Sequence, residues 1–152
     1  MNRLGTAIVL FLLLTLFACG GGPGANVIQG PWNAVLTNPD ETEALAFTAT
    51  LTQSGKTVNV TQFTLTRPTK CFAEGTTASG LFTHPYTTHG VTSGDFQMTV
   101  QSDPANADAP NRVVLTGQFQ RNVIWGTWTL TSGSLCNLPE NAPSGDFIMS
   151  QM

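Results

Sequence analysis

Apolar and polar residues alternate one for one along most of this chain. A period of two commits a segment to a strand with one face buried. Leu45, Phe47, Ala49 and Leu51 alternate with Ala46, Thr48, Thr50 and Thr52. Phe96, Met98 and Val100 do so against Asp95, Gln97, Thr99 and Gln101, and Val113, Leu115, Gly117 and Phe119 against Val114, Thr116, Gln118 and Gln120. The pattern predicts strands over 32–36, 44–53, 56–66, 79–83, 94–101, 112–120, 123–131 and 145–151. Between Val60 and Phe63 the phase slips by one residue, which predicts a β-bulge. No segment beyond the N-terminal apolar run sustains a helical period.

A second pattern is superimposed on the first. The triplet Gly-x-aromatic occurs at Gly30-Pro31-Trp32, Gly80-Leu81-Phe82, Gly94-Asp95-Phe96, Gly117-Gln118-Phe119, Gly126-Thr127-Trp128 and Gly145-Asp146-Phe147. Residues two apart share a face, so each glycine leaves room beside its aromatic and permits the sharp coiling that closes a small barrel. Ser-Gly pairs at Ser54-Gly55, Ser79-Gly80, Ser93-Gly94, Ser132-Gly133 and Ser144-Gly145 read as turns between strands. The expected fold is all-β, a single eight-stranded up-and-down antiparallel barrel, with a β-sandwich as the runner-up.

Connection lengths give such a barrel two unlike ends. The connections 37–43, 67–78, 102–111 and 132–144 fall at one end and are long. At the other end Ser54-Gly55 and Arg121-Asn122 are tight, and only 84–92 reads as a long loop. An elaborated mouth and a mostly closed base follow. Both histidines, His84 and His89, fall in that basal loop, with Glu74 and Asp95 as carboxylates able to approach them. They are weak candidates for a metal site, because no third ligand is fixed by spacing. Trp125 is out of phase with Trp128 and points outward, where packing under a loop is the expectation and an apolar contact patch the alternative.

Charge excludes some partners. Beyond Arg3 the chain holds five Lys or Arg against nine Asp or Glu, with no basic stripe for nucleic acid. The nine acids single out no catalytic pair, and Gly90-Val91-Thr92-Ser93-Gly94 has Thr where a nucleophile elbow needs Ser. Neither an enzymatic activity nor a cofactor is expected.

The N-terminus carries an address. Arg3 precedes an apolar run from Ala7 to Ala18, too short to span a bilayer, which ends in Leu16-Phe17-Ala18-Cys19 followed by glycines. This resembles the lipobox of bacterial lipoproteins. The resemblance implies a signal peptide over 1–18, acylation of Cys19, a flexible tether over 19–29 and a barrel domain over 30–152. Gly20, with no Asp in its place, is similar to outer-membrane sorting signals. With Cys19 acylated, Cys71 and Cys136 remain, an even number that favours a disulfide in an exported domain over two free or metal-binding thiols. Both lie in mouth connections. Such a link would stabilise the fold by about 4 kcal/mol in the chain-entropy model.

Gly30-Pro31-Trp32 at the first strand resembles the Gly-x-Trp opening of lipocalins, and the repeated Gly-x-aromatic strands are similar to those of the wider calycin group. Lipocalins pack a basic residue on that tryptophan, and Arg121 is the residue here that could take the role. Gln53-Ser54-Gly55 and Gly126-Thr127-Trp128 also resemble uncharacterised bacterial lipoproteins built of such hairpins. The function these readings imply is a lipid-anchored, non-catalytic binding module of the cell envelope working through its long loops. The alternative is a lipocalin-like carrier holding a small apolar ligand among Phe47, Phe96, Met98, Phe119, Trp128 and Phe147. Expected partners are the membrane and a protein or small apolar ligand.

Overall fold

The computed structural model describes residues 27–67, 72, 75–102, 111–132 and 144–152. Eight antiparallel strands follow one another around a closed barrel in chain order. They are β1 (Gln29–Thr37), β2 (Glu43–Ser54), β3 (Thr57–Leu65), β4 (Thr77–Thr88), β5 (Val91–Gln101), β6 (Arg112–Gln120), β7 (Val123–Ser132) and β8 (Ser144–Gln151). The ring closes where β1 pairs β8, from Trp32 opposite Gln151 to Thr37 opposite Asp146. The up-and-down barrel expected from the alternation is therefore the fold, and no helix occurs among the described residues. The predicted bulge in β3 is present. Gln62 adopts a φ of 49°, the β2–β3 register shifts beside it, and Phe63 resumes the inward phase that Val60 leaves.

The glycines set how tightly the strands close on the interior. Register places Phe96, Gly117, Gly126 and Phe147 in one row across β5 to β8. A Cβ on Gly126 would overlap the Thr116 carbonyl oxygen and the Gly117 Cα, and one on Gly117 would overlap the Trp125 carbonyl oxygen and lie 3.0 Å from Phe147 Cζ. Two strands thus meet nearly backbone to backbone, leaving the space in front of Gly117 to the Phe147 ring. Gly145 plays a related part opposite Trp128, whose Nε1 donates to the Thr37 carbonyl at 2.8 Å. A side chain on Gly145 would occupy that contact.

Four sequence expectations need correction. Residues 84–92 are not a loop: β4 runs to Thr88, β5 starts at Val91, and His89-Gly90 forms a two-residue turn with φ of 50° and 76°. Pro85, which has no N–H for the ladder, is absorbed by a bulge in which His84 and Pro85 stand opposite Gly94, after which Tyr86 and Ser93 pair again. The pairs Ser79-Gly80, Ser93-Gly94 and Ser144-Gly145 lie inside strands, because those glycines make room for neighbours. Trp125 is not packed under a loop. It is 43% exposed. Strand ends other than that of β4 shift by up to three residues from the expected ones, as at β1, which begins at Gln29, since polar residues flanking an apolar core segment still pair.

The base is closed by backbone and by one amide. Its three connections, Gly55-Lys56, His89-Gly90 and Arg121-Asn122, are all of two residues. Gln53, buried at the end of β2, accepts from the Val27 and Ile28 amides at 2.9 and 3.2 Å and donates to the Gly55 carbonyl at 2.9 Å. The incoming chain is held to the barrel at that point. Cys19, Cys71, Cys136 and Glu74 lie outside the described residues, as does most of the long mouth connections.

Replacing Gly126 by Ala should cost about 1–3 kcal/mol through overpacking against backbone that cannot swing aside. Urea unfolding measures it. An unchanged midpoint would contradict the close β6–β7 approach.

Candidate functional site

The six apolar residues considered as ligand contacts all lie in the barrel interior. Phe47, Phe96, Met98, Phe119, Trp128 and Phe147 are buried and belong to one core cluster with Trp32, Phe82, Leu115 and Met149. Phe119 meets Phe82 edge to face with ring centroids 5.5 Å apart, and packs on Trp32 at 6.3 Å. These contacts fill the lower barrel with aromatic side chains. Trp32 takes Phe119 as its partner, while Arg121 sits exposed in the β6–β7 turn.

Accessible polar chemistry lies on the outer face. The β4 bulge puts His84 at a φ of 48°, a conformation uncommon for a residue other than glycine and one that re-aims its side chain. The imidazole Nδ1 stands 2.7 Å from Asp95 Oδ2. On the next strand Gln118, directly opposite Asp95, donates from Nε2 to Asp95 Oδ1 at 2.5 Å. Both carboxylate oxygens are engaged, one from each side.

These bonds hold the Asp95 carboxyl below the ordinary carboxylate range, the Gln118 amide contributing most and the His84 ring next. Asp95 is then an acceptor only, so the His84 Nδ1 is the donor of this pair. Asp95 and Gln118 line a shallow groove of about 360 Å³ with Leu81, Thr83, Gln97 and Thr116. Phe96 and Gly117 complete its lining, which is more apolar than polar, with hydroxyl and amide groups set along it.

The two histidines do not come together as one loop. His84 belongs to a strand and pairs with Asp95, whereas His89 caps the β4–β5 hairpin. No group of three or more His, Cys, Asp or Glu side chains among the described residues is placed to hold a metal ion. Comparison with family models, curated proteins and solved structures finds no match.

Asp95 was a legible candidate as a carboxylate within reach of His84, but Gln118 was not. Gln118 becomes visible only once the β5–β6 register sets it opposite Asp95. The neighbouring strand continues the row, with Trp125 opposite Gln118 and Ile148 opposite Trp125. Ile148 is 51% exposed.

Because the folded state lowers the Asp95 pKa, its bonds favour folding above the unfolded carboxylate value near ~3.9 and are lost as pH falls through the lower folded midpoint. Carboxyl-carbon NMR should find Asp95 titrating below an unstructured aspartate. Gln118→Ala should raise that midpoint more than His84→Ala does. The reverse order would contradict the geometry.

Proposed function

We propose that this protein is an exported, lipid-anchored component of a bacterial cell envelope that binds partners through its outer surface and mouth connections, without catalysis. The observation that carries the reading is the interior, where Trp32, Phe47, Phe82, Phe96, Met98, Leu115, Trp128 and Met149 are almost wholly removed from solvent by one another. A barrel that spends its axis on its own side chains is a scaffold. Support for the anchor comes from Leu16-Phe17-Ala18-Cys19 behind Arg3 and its apolar run. Tight basal turns and an incoming chain held by Gln53 suit a body tethered at its base.

The alternative, a carrier of a small apolar ligand in the calycin manner, draws on one specific observation. Strands β3 and β4 pair only from Thr57–Asn59 to Leu81–Ser79 among the described residues. Val60, Phe63 and Leu65 on β3 are only partly buried beyond that seam. An apolar chain could enter there.

Expression in a bacterium with labelled palmitate tests the anchor. The wild-type chain should be labelled and sediment with membranes, and Cys19→Ser should lose both properties. Native mass spectrometry of the purified protein separates scaffold from carrier. A bare mass is expected, and a retained apolar small molecule would overturn the scaffold reading.

A further inference from the structure

The outer face carries one in-register row, Thr83, Asp95, Gln118, Trp125, Ile148 and Val35, one residue from each of β4 to β8 and then β1. At the strand spacing of about 4.8 Å, Trp125 lies next to Gln118 and about 10 Å from Asp95. The parallel row beside it, Leu81, Gln97, Thr116 and Thr127, is uncharged and mostly hydroxyl or amide. The geometry points to a binding site for a neutral oligosaccharide across β4 to β7, with one sugar ring stacked on Trp125 and the next hydrogen-bonded by Gln118, Asp95 and His84.

The chemistry of the row selects this ligand over others. Trp125 is an aromatic ring of the kind a pyranose matches with the C–H side of its ring, and its 43% exposure leaves part of the indole open to a partner. The polar half of the row is already held in place by its own bonds, so little ordering cost remains on binding. It still has capacity to spare. Each Asp95 oxygen keeps a free lone pair, Gln118 keeps Oε1 and its second N–H, and His84 keeps Nε2.

Vicinal hydroxyls, each both donor and acceptor, satisfy such a set. An apolar partner covering the same row would strand those groups without water, at a cost that removes the benefit of burying Trp125. An anionic ligand would meet the Asp95 carboxylate. The distance of about 10 Å between the aromatic and the carboxylate fits two linked sugar units rather than one.

The inference rests on the reading of the barrel as a scaffold that binds from outside. Of the three tryptophans, Trp32 and Trp128 are buried, so a change in quenching reports Trp125. The test titrates the full-length protein with neutral tetrasaccharides of glucose and of N-acetylglucosamine, following acrylamide quenching and, in parallel, calorimetry. At least one is expected to bind saturably and to shield Trp125. Trp125→Ala and Gln118→Ala should each weaken binding, the former by about thirty-fold, while Trp125→Tyr keeps much of it. Circular dichroism and emission from the two buried tryptophans report whether each variant is folded. Absence of any response, or an affinity indifferent to folded Trp125→Ala, overturns the sugar site. The scaffold reading falls separately, on a retained apolar ligand inside the barrel.

Discussion

The approach of β6 to β7 at Gly117 and Gly126 is the contact on which the rest of the barrel depends. Two glycines face each other where any side chain would strike backbone. Phe147 from β8 reaches across into the vacated volume at Gly117, so an aromatic ring of a strand that does not neighbour β6 shares its interior. Were β6 and β7 spaced by ordinary side chains on their inner faces, Phe147 could not reach across to β6. The dense interior depends on that pair.

How much of this could be read in advance depends on which interactions are local. Alternation over two residues is local, so the inward residues of β2, β5 and β6 and the bulge after Val60 were all legible in the sequence. The glycines were legible as space beside an aromatic, although three of the Ser-Gly pairs misled as turns. In isolation a glycine that relieves a cross-strand contact looks the same as one that permits a bend. The His84-Pro85 step misled in the same way: proline signals the end of a strand unless a bulge takes it up, and the bulge depends on Gly94 one strand away.

The outer row was the least legible part. His84 and Asp95 are eleven residues apart and invited pairing, but Gln118 and Trp125 join them only through the register of three successive hairpins. Two of these hairpins close through the two-residue turns His89-Gly90 and Arg121-Asn122, which leave their register little slack, whereas β5 and β6 are joined by the long connection 102–111 and their register is held by the ladder itself. A surface constellation of this kind is thus written in strand register rather than in any motif.

The attachment of Val27 and Ile28 by Gln53 bears on how the barrel would respond to force. A pull on the chain ahead of Val27 enters along β1, which is hydrogen-bonded on both sides, to β2 and to β8. Antiparallel ladder bonds lie perpendicular to the strands, so such a load shears two ladders at once instead of peeling one bond after another. The first element to feel tension is, like every strand of the closed ring, gripped from both sides, so the load passes into the whole barrel rather than into one edge.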